Sequence, residues 1–209
     1  MKNENKIKQV TKLCDTCEFC GVPRINCICN RVSRINTNTQ IWILSSQKEV
    51  TRPTNTARLI KLVNEGSTEI FVWERKIPPV KLVELIEGGE FDVYLLFPAD
   101  EGNKHREKTF ERTDKKAAFI IIDGTWQEAK KIFSRSPYLK SLPLLTLNIE
   151  KESQFKLRRG IPEGGICTIE AAMKVLELND EHHEAKELGE TFELFQRSYK
   201  AGASGHKCE

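Results

Sequence analysis

Six apolar residues in a row, Ala117-Ala118-Phe119-Ile120-Ile121-Ile122, run straight into Asp123-Gly124-Thr125-Trp126. A short, continuous apolar run rich in β-branched residues is what a strand buried on both faces requires, and such strands belong to parallel sheets. The residues behind the turn, Gln127 to Phe133, are strong helix formers with Trp126, Ala129, Ile132 and Phe133 on one side, which predicts a strand-turn-helix unit. In open α/β sheets, ligands sit beyond the carboxyl ends of such strands, so Asp123 is expected to project into a binding crevice. A plainer reading makes the same residue a helix cap, a role that Asp and Thr both fill well.

The rest of the chain repeats the alternation. Strands are expected at Gln40–Leu44, Ile70–Trp73, Phe91–Phe97 and Leu142–Ile149, with a loop after the first. Helices are expected from about Asn55 to Asn64, over Val80–Ile86 behind Pro78-Pro79, at Thr168–Leu178 and at His182–Tyr199. Strands alternating with helices predict an α/β fold with a mostly parallel sheet. No Gly-x-Gly-x-x-Gly follows any of these strands and no Gly-Lys-Ser/Thr loop is present, which disfavours a dinucleotide or P-loop site. The small, polar stretch from Ala201 to Glu209 is expected to be a disordered tail.

Five of the seven cysteines crowd into residues 14 to 29, which argues against a distributed disulfide framework and for a metal site in a reducing compartment. Cys17-x2-Cys20-x6-Cys27-x-Cys29 supplies two close pairs of thiolates, the donor set of a tetrahedral zinc site with no open position for water. Cys14-x2-Cys17 would make an equally good first pair, and an iron–sulfur cluster or redox-active thiols are further readings. His182 and His183 lack a second ligand at metal-binding spacing and read as exposed histidines. The organisation expected is a basic metal-binding module at 1–36, one catalytic domain at 37–200 and the tail at 201–209.

Charge is informative by region. Residues 1–61 carry eleven Lys and Arg against four acids, and the remainder of the chain is net acidic. A basic end bearing a zinc knuckle suits a phosphate backbone, and the run Lys104 to Lys116 could border the same groove. No stretch approaches the ~18–20 apolar residues of a membrane span, and the charged start is not followed by the apolar region of a secretion signal, so a cytoplasmic protein without membrane contact is expected.

With these features in place, the chain resembles the DTW-domain family. Asp123-Gly124-Thr125-Trp126 matches its Asp-Thr-Trp signature, with one residue inserted. Arg52-Pro53-Thr54-Asn55-Thr56-Ala57-Arg58-Leu59, Tyr94-Leu95-Leu96-Phe97-Pro98, Leu157-Arg158-Arg159 and Gly165-Ile166-Cys167-Thr168-Ile169-Glu170-Ala171 resemble further blocks of the family, in its order. Ala57 departs from a usual Gly, and a His often found before Arg52 is missing. The resemblance implies a tRNA-uridine aminocarboxypropyltransferase, which moves the 3-amino-3-carboxypropyl group of S-adenosylmethionine to N3 of a tRNA uridine. It implies a SPOUT-like sheet with a carboxyl-terminal knot, and it favours Cys17, Cys20, Cys27 and Cys29 as the zinc ligands.

In such folds the cofactor lies bent among loops after successive strands. Here those loops would be Leu96-Phe97-Pro98, Asp123-Gly124-Thr125-Trp126 and Gly164-Gly165-Ile166-Cys167-Thr168. Gly164 and Gly165 would let main chain approach the ligand, and Thr168 would cap the next helix. Leu96, Phe97 and Ile166 would wall the adenine and thioether, or serve as ordinary core. Asp123 is the candidate base for the N3 proton, or else it steers the sulfonium. Trp126 would stack on a base or pack its helix, and Glu170 would fix loop geometry. Arg52, Asn55, Thr56 and Arg58 are the expected RNA contacts, with the two arginines suited to phosphate or to the cofactor's carboxylate. Competing readings are an RNA methyltransferase, a transferase acting on ribosomal RNA, and a noncatalytic zinc-bearing RNA-binding module. A monomer is expected.

Overall fold

The apolar runs become the strands of one sheet in the computed structural model, which describes residues 15–148, 153–157 and 165–208. The strands are β1 (Gln40–Ser46), β2 (Thr68–Trp73), β3 (Phe91–Leu96), β4 (Lys116–Asp123) and β5 (Leu144–Leu145), in the order β2-β1-β4-β3-β5. Every pairing is parallel. The helices are α1 (Gln47–Val50), α2 (Ala57–Val63), α3 (Val80–Glu87), α4 (Trp126–Arg135), α5 (Thr168–Leu178) and α6 (His182–Ala203).

The central strands are buried on both faces, and the two-residue period of a strand divides them between two cores. Ile41, Ile43 and Ile121 pack with apolar residues of α2, α5 and α6. Trp42, Leu44, Ala118 and Ile120 pack with Leu82 of α3 and with Ala129 and Ile132 of α4. The sheet is thus sandwiched between two helical layers.

The strand order creates the crevice. From β1 the chain returns through α2 to β2 on one side, whereas from β4 it passes through α4 to β5 on the other. Neighbouring strands whose connections leave in opposite directions open a cleft at their carboxyl ends. Here that cleft lies between β1 and β4, where Ser45 stands in register with Asp123.

Two elements differ from expectation. The fifth strand shrinks from Leu142–Ile149 to Leu144–Leu145. It lies at the edge of the sheet, and Thr146 Oγ1 turns to Glu107 Oε1 at 2.7 Å instead of continuing the ladder. The expected loop after β1 contains α1, which Ser46 caps by accepting from the Glu49 amide at 3.3 Å. The expected knot concerns the path between β5 and α5, where residues 149–152 and 158–164 lie outside the described residues.

Residues 15–36 form a knuckle that shares a core with the sheet's helices. Cys17, Cys20, Val22 and Ile28 are buried in the cluster that contains Phe192 and Phe195 of α6. Its tight turn uses Gly21 at φ +74°, a conformation that costs glycine little. Within the expected tail, the described residues 201–208 pack back on the knuckle. Residues 201–203 finish α6, and Asn26 Nδ2 donates to the His206 carbonyl at 2.7 Å while Asn26 Oδ1 accepts from the Cys208 amide at 2.8 Å. Gly202 makes this closure possible, because a Cβ there would meet Pro23 at 2.7 Å.

Candidate active site and metal centre

Asp123 ends β4 and is only 2% exposed. Its carboxylate accepts from Ser45 Oγ at 2.5 Å, Asn55 Nδ2 at 2.7 Å and Thr168 Oγ1 at 2.6 Å. The three donors come from the end of β1, the loop before α2 and the first turn of α5. One buried acid therefore ties three segments to the switch point, each bond being of the strong, charge-assisted kind. Thr56 Oγ1 adds to the tie by accepting from the Ile169 amide at 3.4 Å. Asp123 does not cap the following helix. Thr125 does, with Glu128 returning to the Thr125 amide at 2.9 Å in a capping box.

Thr168 likewise lies inside α5 rather than capping it: Cys167 occupies the cap position, and the Thr168 hydroxyl goes to Asp123. Glu170 acts on loop geometry, as expected. It accepts from the Cys167 amide at 2.8 Å, the Ser153 hydroxyl at 2.6 Å and the Gln154 amide at 2.6 Å, strapping residues 153–154 to the start of α5. The Cys167 thiol is buried deeply enough that burial pushes its pKa well above the usual range, so it stays neutral.

Beside this polar knot the wall is apolar. Leu96 and Ile166 pack, half-buried, against the cluster that includes Ile121, together with Leu147. Phe97 belongs to the other core, stacked on Phe133 with centroids 4.1 Å apart and on Trp126 at 5.4 Å. Trp126 is 42% exposed, and Lys130 Nζ lies 5.0 Å from its ring centroid. Pro98 and Gly124 follow the ends of β3 and β4 and Gly165 precedes Ile166 in the chain, while Gly164 lies outside the described residues. A cavity of about 160 Å³ bordered by Asp92, Phe110 and Arg112 lies at the opposite, amino-terminal ends of the strands, and it is smaller than the roughly 300 Å³ at which ligand pockets begin.

The residues expected to meet RNA divide. Arg52 is exposed, its Nη1 2.5 Å from Oε1 of the buried Glu49. Asn55 and Thr56 are 5% and 3% exposed, with side chains turned to Asp123 and Ile169. Arg58 spends its guanidinium on backbone: Nη1 donates to the Glu18 carbonyl at 3.3 Å, and Nη2 to those of Val50 at 3.0 Å and Arg52 at 2.9 Å. Burial lowers the Arg58 pKa against the opposing pull of Cys20, Cys17 and Asp123. Arg58 thus bridges the knuckle and the loop that carries Asn55.

On the knuckle, the sulfurs of Cys17, Cys20, Cys27 and Cys29 all lie within 4.8 Å of one another. Cys17 and Cys29 are 3.6 Å apart and Cys20 and Cys27 3.9 Å. Thiolates about 2.3 Å from a tetrahedral zinc lie roughly 3.8 Å from one another, so the set fits that ion. Burial and the neighbouring sulfurs push Cys20 up to about 11 and Cys29 higher still. Burial also raises Cys17, but hydrogen bonds from the Cys20 and Phe19 amides and from the Cys27 and Cys29 thiols together outweigh it and bring the thiol down to about 7. Cys14 lies outside the described residues.

Sequence reasoning missed Ser45 and Leu147, and it assigned Asn55 to RNA. Their signals were weak: Ser45 ends an apolar run, and its partner is 78 positions away.

Fold and site together define a parallel α/β protein with a crevice at its switch point and a four-thiolate knuckle able to hold a metal ion. The chain belongs to the DTW-domain family, which it matches over residues 14–200. It is similar to the tRNA-uridine aminocarboxypropyltransferase 2 of Drosophila melanogaster, 26% identical over 180 residues, covering 82% of this chain and 69% of that protein. The protein of the same name from Mus musculus is 24% identical over 170 residues, covering 78% of this chain and 57% of its own length. No solved structure matches the chain significantly. Among the described residues, no helix is long and apolar enough to cross a membrane.

Proposed function

We propose that this chain transfers the 3-amino-3-carboxypropyl group of S-adenosylmethionine to N3 of a uridine in tRNA, releasing methylthioadenosine. The observation that carries the reading is the family's Asp-Gly-Thr-Trp loop at the switch point, in a chain similar to two proteins that bear this activity in their names. The donor supplies an electrophilic γ-carbon: a bond from N3 to that carbon forms, the sulfur–carbon bond breaks with its electron pair going to sulfur, and the N3 proton leaves.

The residues fit such a donor. Leu96, Leu147 and Ile166 offer a half-buried apolar wall for adenine and thioether, and Gly165 brings main chain to it without a side chain between. Asp123 places a negative charge behind the loops that would hold a cationic sulfonium. Its oxygens already accept three hydrogen bonds, so we assign it to fixing the crevice and balancing that charge rather than to taking the N3 proton. Selection of the γ-carbon over the methyl then rests on orientation, which such a fixed frame provides. Cys17, Cys20, Cys27 and Cys29 would hold a structural zinc with no open position.

The test is incubation of the protein with unmodified tRNA and S-adenosylmethionine, with products read by mass spectrometry. Aminocarboxypropyluridine together with methylthioadenosine is the expected result. A methylated nucleoside with S-adenosylhomocysteine would overturn the reaction, and an unmodified tRNA would overturn the substrate.

A further inference from the structure

The helix that leaves the Asp-Gly-Thr-Trp loop has a one-signed outer face. On α4 the exposed residues include Trp126, Lys130, Lys131 and Arg135, and the helix's only acid, Glu128, is half-buried and turned to Thr125 and Ser46. Lys48 and Arg52 extend the strip at the crevice end: both are exposed, and both act electrostatically on Glu128. Glu49, the acid between them, is buried. At the far end Lys140 is exposed, and the Lys131 ammonium lies 5.8 Å from the Trp73 ring. The exposed Glu74 beside Trp73 is followed by exposed Arg75 and Lys76.

α6 offers a contrast. Its side chains include Glu184, Glu187, Glu190 and Glu193 among Lys186, Arg197 and Lys200, the mixed pattern of an ordinary solvated helix. Nothing in solvation calls for an all-cationic face that starts at a binding loop with an exposed indole. From Trp126 to Arg135 the helix rises roughly 14 Å, enough to follow a few nucleotides.

We infer that the outer face of α4, with Lys48 and Arg52, is the track on which the RNA backbone lies as a nucleotide enters the crevice. This rests on the proposed reaction for its choice of RNA. Lys130, Lys131 and Arg135 contact phosphates, and Trp126, packed on Phe97, offers its indole to a base next to the reacting one. A helix face whose exposed charges are all cationic fits a polyanion, and an aromatic platform at its end fits an unstacked base better than an acidic peptide.

The test is tRNA affinity as a function of salt, for the wild type and for the triple variant Lys130→Gln, Lys131→Gln, Arg135→Gln. S-adenosylmethionine affinity and thermal midpoint serve as controls. Losing three phosphate contacts should lower the slope of log affinity against log salt by about 2 and weaken binding at least tenfold at low salt, with both controls unchanged. Trp126→Ala should weaken tRNA binding without changing that slope. An unchanged slope and affinity in the triple variant would overturn the track, and would do so too if the strip instead held an acidic protein. The reaction is scored separately: aminocarboxypropyluridine formed by a triple variant with unaltered KM for tRNA would sink the track and spare the reaction. A weakened triple variant alongside an inactive wild type would spare the track and sink the reaction.

Discussion

Asp123 and Trp126 are three residues apart in one loop, yet they sit in opposite surroundings. Asp123 is 2% exposed and held by donors from three separate segments, whereas Trp126 is 42% exposed and leans on one aromatic neighbour. A carboxylate engaged in this way cannot shift without stranding its partners, so that side of the loop is frame. An indole with open surface can take a ligand at small cost to the fold, so we assign that side to contact. The residues that make a site specific need not be those that hold it together.

The largest expected effect comes from breaking the frame. Asp123→Ala leaves three buried polar groups without their acceptor, and stranded groups of this kind cost about 1–3 kcal/mol each before relaxation. We expect a loss of about 3 kcal/mol or more in urea unfolding, together with loss of product formation. Asp123→Asn sharpens the comparison, since the amide keeps the shape but cannot accept from all three donors. If that variant keeps wild-type stability and yet makes no product, Asp123 acts on the substrate itself and the division into frame and contact is wrong.

Next in size is the brace behind the frame. Arg58 reaches the knuckle at Glu18 and the 50–52 loop, its own amide faces Asn55 Oδ1 at 3.4 Å, and Asn55 reaches Asp123. Arg58→Met should cost about 1–3 kcal/mol and lower kcat more than KM, with the capacity of the four cysteines to bind zinc retained. Arg58→Lys should restore only part, because one ammonium does not reproduce a planar fork spread over three carbonyls. With the zinc proposed for the knuckle in place, chelation, followed by metal content and thermal midpoint, should loosen the same loop. A chelated protein with an unchanged midpoint would separate the knuckle from the frame.

Trp126→Ala should be milder for the fold and selective for function. With much of the indole already in solvent, we expect less than about 1 kcal/mol in stability, against a several-fold rise in KM for tRNA and partial rescue by Trp126→Phe. A stability loss as large as that of Asp123→Ala would make Trp126 frame as well.

The same contrast explains what the sequence made legible. The apolar runs at 40–44, 91–97 and 117–122 announced buried strands because a parallel sheet demands continuous hydrophobicity, and Thr168–Leu178 is the helix its periodicity predicts. The local cap was legible in kind, but its owner was not. Thr125 and Asp123 suit the role equally, and only the strand pairing that sets Ser45 opposite Asp123 reserves the acid for another task. Asn55 and Arg58 looked like surface contacts for RNA because a polar side chain at the start of a helix carries no mark of burial. Asn55 meets Asp123 68 positions away, and Arg58 reaches Glu18 40 positions away as well as the nearby Val50 and Arg52 carbonyls, and no local pattern reports the distant contacts. The four cysteines were legible because a cluster able to hold a metal writes its spacing into neighbouring residues, and the packing of residues 201–208 was not, because it depends on Asn26, 180 positions before His206.

The smallest expected effect lies between the two sides, at Glu128. Partial burial raises the pKa of its carboxyl, but the Thr125 amide and hydroxyl and the nearby Arg52 and Lys48 outweigh this and hold it below its ordinary value of 4.5. A carboxylate depressed in the folded state contributes stability that is fully present above the unfolded pKa and is lost as pH falls through the folded one. The acid limb of the urea midpoint should therefore be steeper below about pH 4.5 in the wild type than in Glu128→Gln, with the two proteins differing most near neutrality and converging in acid. Water screens a half-buried group at the mouth of the crevice, so the difference should be modest, and added salt should shrink it as Arg52 and Lys48 are screened. Coincident acid limbs would mean that the capping carboxylate serves the helix only through geometry, and that the cations beside it are free to serve RNA.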